Sequence, residues 1–142
     1  MRLFPILLVL SWLRLTPALA ADSDSRNQFL LKGIVDAAPS LVQHIAENDR
    51  LIIKLYHPGA NGLEMDTTYQ IINRFTLPFE FIVGPAVGMS GSTKHNSYIV
   101  EVFTDKDKDV LSVAPNELYG HSGQAIKLGT SGIELKLDTQ RQ

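Results

Sequence analysis

Ile133, Leu135 and Leu137 alternate strictly with Glu134, Lys136 and Asp138 near the end of the chain. That period of two places one face of a β-strand on a core and the other in water. The same pattern predicts strands over Phe29 to Val35, Leu51 to His57, Thr67 to Phe75, Leu77 to Val83 and Ser97 to Thr104. In the last of these, Tyr98, Val100 and Val102 share one face, and Ile99, Glu101 and Phe103 share the other. The run from Leu51 to His57 ends at Pro58-Gly59, and Asn61-Gly62 then supplies the positive φ angles of a tight turn, so the runs on either side form a hairpin. Pro78 lacks a backbone N–H and sends its run to a sheet edge or a strand start.

Between the strands, Asp105 to Asp109 reads as a charged turn from which Val110 to Val113 returns as a strand. Gly84 to Ser92 and Ala114 to Gly123 read as loops. Only Pro39 to Ile45, with Leu41, Val42 and Ile45 at helical spacing, suggests one or two helical turns. Short strands punctuated by Gly, Pro, Asn and Asp define an all-β fold, a single-domain antiparallel β-sandwich with one short helical turn. It is expected to span residues 29–138, after a flexible polar lead at 21–28 and before a tail at 139–142.

The first 20 residues break the pattern. Arg2 precedes an apolar run from Leu3 to Leu13, and Ala18-Leu19-Ala20 closes it with small residues, the features of a cleaved signal peptide. The run of about 11 residues is short of the roughly 20 that cross a bilayer as a helix. Export to the bacterial periplasm is therefore expected, with no transmembrane segment in the mature chain. Of the 142 residues, about 120 then remain, the size of one domain. The chain has no cysteine, which excludes disulfides, thiolate nucleophiles, Cys-ligated zinc, covalent haem and a lipidated cysteine. The 13 basic residues are spread among 15 acidic ones and the net charge is −2. A nucleic-acid partner is thus not expected, because neutralising phosphates requires clustered Lys and Arg.

The candidate chemistry is sparse. Asp105, Asp107 and Asp109 alternate as calcium ligands do in the first half of an EF-hand loop, but Val110 stands where its sixth-position Gly belongs and Asn116 where its twelfth-position Glu belongs. The segment therefore reads as a solvated turn, and no metal or other cofactor is expected. His44, His57, His95 and His121 have no metal-ligand spacing. Gly88-Met89-Ser90-Gly91-Ser92 fails the nucleophile-elbow pattern because Ser92 replaces its last Gly. No catalytic residues are assigned and an enzyme is not expected. Tyr56, Met89 and Tyr119, read as apolar loop residues, are the candidate anchors for a protein or peptide client.

Gly33-Ile34-Val35 with Pro39-Ser40-Leu41, Asp49 to Ile53, Leu77-Pro78-Phe79-Glu80-Phe81 with Met89 downstream, Ile99 to Val102, Glu117 to Ser122 and Gly129 to Leu135 follow one another in an order and spacing that resembles a known family. It is the C-terminal periplasmic domain of the cytochrome c maturation protein I family, also called CycH. The resemblance runs from about Gly33 to Asp138 and implies a chaperone-like module that holds apocytochrome c for haem ligation. The family's membrane helices and tetratricopeptide repeats have no counterpart in this sequence. A second resemblance, through the polar stretch leading to Pro-Phe, is to small sandwich lipoproteins related to type III secretion pilotins, and it implies assistance to secretion or outer-membrane assembly. Those proteins normally carry the lipidated cysteine that is missing here.

If the leader is cleaved as its pattern indicates, N-terminal sequencing of the exported protein returns a chain starting at Ala21. Recovery of Met1 in the membrane fraction would contradict it.

Overall fold

Alternating burial sorts the strands into two layers. A computed structural model describes residues 30–84 and 95–142. The leader, the polar lead and the Gly-rich loop from Pro85, with Met89, lie outside the described residues. Among the described residues nine strands follow in order: β1 (Leu31–Ala37), β2 (Arg50–Pro58), β3 (Glu64–Ile72), β4 (Phe79–Val83), β5 (Ser97–Asp105), β6 (Leu118–His121), β7 (Ile126–Lys127), β8 (Ile133–Leu137) and β9 (Thr139–Gln140). A small sheet has the order β4-β1-β8, and a larger one runs β3-β2-β5-β6-β9 with β7 also paired to β5. Leu31, Val35, Phe81, Val83, Leu135 and Leu137 of the small sheet share one core with Leu51, Ile53, Leu55, Tyr98, Val100, Val102 and Leu118 of the large one. Each large apolar side chain so buried contributes about 1.5–3 kcal/mol.

The all-β sandwich expected from the pattern is present, with a short 3-10 turn at Val42–His44 inside the stretch read as helical and a second at Ala60–Gly62. The hairpin of β2 and β3 is also present. Asn61 and Gly62 adopt φ of 59° and 73° at its tip, and the partner strand covers Glu64–Ile72 instead of Thr67 to Phe75. β4 begins directly after Pro78, so the residue without an N–H stands at a strand start, and among the described residues β4 forms an edge of the small sheet.

Four expectations need correction. The sandwich is not wholly antiparallel: β1 and β8 pair in parallel, Val35 opposite Leu135, because the whole intervening chain serves as the crossover that parallel neighbours need. Val110 to Val113 forms no strand. Asp107 Oδ1 accepts the Asp109 N–H and Asp109 Oδ1 accepts the Leu111 N–H, each at 3.0 Å. These side chains divert backbone donors from any ladder, and Leu111 is left 81% exposed. Ala114 to Gly123 is not simply a loop, since it contains β6. Finally, residues 139–142 are not a free tail: Thr139 pairs with Tyr119 in β9, and the Arg141 N–H donates to the Glu117 carbonyl at 2.8 Å.

β6 closes one side of the sandwich. A Cβ on Gly120 would lie 2.0 Å from the Lys136 carbonyl oxygen, so only glycine lets β6 of the large sheet touch β8 of the small one. The Asp138 N–H donates to the Tyr119 carbonyl at 3.1 Å as the chain passes from β8 to β9. The opposite side stays open among the described residues. There β3 and β4 end their sheets, and a cleft of about 440 Å³ lies between them, lined in part by Ile53, Leu55, Gln70, Ile82 and Val83.

Leu135 is 3% exposed and its neighbour Lys136 faces solvent. Leu135→Asp is therefore expected to cost about 3–5 kcal/mol by burying an unpaired charge, and Lys136→Asp less than about 1 kcal/mol. Urea melts of the two variants check this, and equal midpoints would contradict the β8 register.

Candidate functional site

On the outer face of the large sheet, strand register lines side chains up in rows across the strands. Tyr69, Lys54, Glu101 and His121 stand opposite one another through β3, β2, β5 and β6. One step along, Ile71, Ile52, Phe103, Tyr119 and Thr139 form a second row. Such facing side chains touch, and aromatic and opposite-charge pairs among them stabilise the sheet.

The first row centres on a carboxylate. Glu101 Oε1 accepts hydrogen bonds from the hydroxyls of Tyr56 at 3.2 Å and Tyr119 at 2.9 Å. Lys54 Nζ sits 2.7 Å from Glu64 Oε2 and 3.6 Å from Glu101 Oε2. The same ammonium lies 5.1 Å from the ring centre of Tyr56 and 5.9 Å from that of Tyr69, within cation–π range. Arg141, beyond β9, covers the Tyr119 ring at 4.4 Å and the Phe103 ring at 5.6 Å.

Titration follows from these contacts. Burial, then the charge of Glu101 and the hydrogen bond to it, pushes the Tyr56 hydroxyl up to about 12. Burial and the hydrogen bond to Glu101 likewise raise that of Tyr119. Desolvation alone would pull Lys54 down, but its hydrogen bond to Glu64 and the charge of Glu101 outweigh it and hold the ammonium above its usual value.

Of the three expected anchors, Tyr56 and Tyr119 therefore meet on one carboxylate. Both are half-buried strand residues: Tyr56 stands in the run that the pattern predicts as a strand, and Tyr119, in the stretch read as a loop, lies in β6, which continues the large sheet beside β5. Met89 lies outside the described residues. Lys54, Tyr69, Glu101, Phe103 and Arg141 complete the face and were not singled out from the sequence. Their alternation within each strand was visible, but which strands adjoin, and in what register, was not.

The other candidates disperse. His57 and His95 stack with ring centres 3.8 Å apart, edge-on to Tyr98. His44 offers its carbonyl to Lys106 at 2.7 Å, and His121 lies on the outer face beside Tyr119. The aspartate series is not a uniformly solvated turn: Asp105 is completely buried, with its Oδ2 bound to Arg50.

These elements define a two-sheet β protein with an aromatic, charged outer face. No family model matches the chain, and no curated protein matches it. Among solved structures it is similar to an alternative pilotin from the type II secretion system of Vibrio cholerae, at 13% identity and a TM-score of 0.49, over 77% of this chain and 94% of that one. No helix among the described residues is long and apolar enough to cross a membrane.

A raised tyrosine pKa stabilises the fold fully below the unfolded value near 10, and that contribution is lost as pH climbs toward the folded value. For Tyr56 the window is about 10 to 12. Absorbance titration at alkaline pH should show tyrosines ionising late, together with falling stability across that window. Glu101→Gln should move part of this titration to lower pH, and an unchanged curve would contradict the contact.

Proposed function

We propose that this chain is an exported, non-enzymatic protein-binding module of the pilotin-like kind, which holds a segment of a client protein against the outer face of its large sheet. The observation that carries this reading is the pair of rows on that face. The solvent side of an antiparallel sheet is ordinarily polar, yet here Tyr56, Tyr69 and Tyr119 gather around Lys54 and Glu101, with Ile71 45% exposed in the adjoining row. Tyrosine beside arginine, as where Arg141 covers Tyr119, is the composition of interface anchor points. β3, which carries Tyr69 and Ile71, is also a sheet edge among the described residues, where an extended segment can add its backbone hydrogen bonds.

Export to the periplasm is supported by the leader pattern of residues 1–20. The sequence resemblance to pilotin-related sandwich proteins supports a client of a secretion or outer-membrane assembly. The resemblance to the cytochrome c maturation protein I domain supports a second client, an apocytochrome segment. A client that must be passed on is held weakly. Micromolar affinity, about −8 kcal/mol, lets it leave quickly.

Calorimetric titration with C-terminal peptides of outer-membrane secretion proteins and of apocytochromes, each beside a scramble of equal charge, separates the two clients. One set should bind at about micromolar Kd, and Tyr119→Ala should weaken it at least tenfold, about 1.4 kcal/mol, while near-ultraviolet circular dichroism shows the fold retained. If neither set binds better than its scramble, the proposal fails.

A further inference from the structure

The carboxylates of Asp105, Asp107 and Glu117 converge at the end of the large sheet where β5 leaves and β6 begins. One oxygen of each lies within 4.8 Å of the others. Asp105 is completely buried and Glu117 is 1% exposed, whereas Asp107 faces solvent. Three like charges so placed call for a counter-charge, and the nearby lysines are committed elsewhere. Lys106 Nζ reaches Asp49 Oδ2 at 2.6 Å and the His44 carbonyl at 2.7 Å, and Lys108 Nζ reaches the Asn48 carbonyl. Arg50 supplies the remaining positive charge, and it binds Asp105 through Oδ2 alone.

A second observation points to a ligand. Asp105 Oδ1 is buried and has no hydrogen-bond partner among the described residues. A buried carboxylate oxygen left bare is costly. The other two groups are held in place: Glu117 accepts the Ala114 N–H on Oε1 at 2.8 Å and the Lys106 N–H on Oε2 at 2.7 Å, and Asp107 accepts the Ser112 hydroxyl and the Asp109 N–H. Each oxygen of these two carboxylates accepts one of these bonds and retains a further lone pair.

We propose that Asp105, Asp107 and Glu117 form a binding site for a hard divalent cation of the Ca²⁺ class. Calcium sits about 2.3–2.6 Å from its oxygen ligands, so two ligands on opposite sides of one ion are about 4.6–5.2 Å apart. The three oxygens thus fit around a single ion without backbone movement. The donors are all oxygen, with no imidazole or thiolate to favour zinc, and the exposed side at Asp107 leaves room for the waters that complete the shell. The ion ties the end of β5 and its turn to the start of β6. Glu117 supplies what the EF-hand comparison lacked, because the fold returns it beside Asp105 at a spacing that the motif does not use.

The test uses the purified chain freed of metal with a chelator, then titrated with Ca²⁺ or Mg²⁺ in a calorimeter and melted at constant ionic strength. One equivalent of Ca²⁺ should bind, and saturation should raise the melting temperature by several degrees, since a ligand bound only by the folded state stabilises it. Asp107→Asn, at an exposed position, should weaken binding at least tenfold while the metal-free melt stays in place. Asp109→Asn, outside the trio, should bind as the parent does. No heat and no shift up to about 10 mM of either ion, above the range of weak extracellular calcium modules, would overturn the proposal. So would a shift that survives Asp107→Asn, because the ion would then sit elsewhere.

Discussion

The backbone contact at Gly120 is the constraint on which the rest of this structure depends. Two sheets can bury a common core with their strands well separated at the edges, but here β6 and β8 come so close that a Cβ on Gly120 would meet the Lys136 carbonyl at 2.0 Å. That approach lets the chain pass directly from β8 to β9, with the Asp138 N–H on the Tyr119 carbonyl. The consequences reach in both directions from a four-residue strand. Leu118 enters the core completely buried, Tyr119 is turned to the outer face, and Glu117 is set beside Asp105 at the sheet end.

Closure on one side leaves the molecule asymmetric. The β6/β8 side is sealed by backbone, whereas among the described residues β3 and β4 end their sheets on the other side, with core residues such as Ile53 and Leu55 reaching the cleft between them. The outer face of the large sheet spans this asymmetry, from Tyr69 on β3 to Arg141 beyond the closed side. Its charges are internally matched: Lys54 lies between Glu64 and Glu101, and two tyrosine hydroxyls complete the Glu101 carboxylate. A matched network holds its aromatic rings in place, which lowers the ordering cost of any contact they make.

The same register connects the two regions of chemical interest. Arg50 pairs with Asp105 one row below Ile52 and Phe103 on the outer face, so the carboxylate group at the sheet end and the aromatic face rest on the same three strands, β2, β5 and β6. The 106–117 connection has no strand of its own. It is held by aspartate side chains turned on their own backbone and by the two backbone N–H groups on Glu117.

Local patterning was enough to read much of this protein. The alternation of Ile133, Leu135 and Leu137, the β-rich run from Leu51 to His57 and the turn at Asn61-Gly62 each express a preference set within a few residues, and each element stands where that preference put it. Short or irregular elements escaped. β6 has four residues, one of them glycine, and its reason for being a strand is the approach of Lys136 from the other sheet. The parallel pairing of β1 with β8 was equally out of reach, since alternation marks which residues are buried but not which strand lies alongside or in what direction. Tyr56 and Tyr119 could be noticed as single residues, but their meeting on Glu101 depends on register between three strands. The sequence alone thus determined the class of fold and the buried face of its longer strands, because those are local hydrophobic periodicities. Only the tertiary structure decided which side chains share a row, a carboxylate or a buried oxygen, because those contacts join residues tens of positions apart whose proximity no local preference encodes.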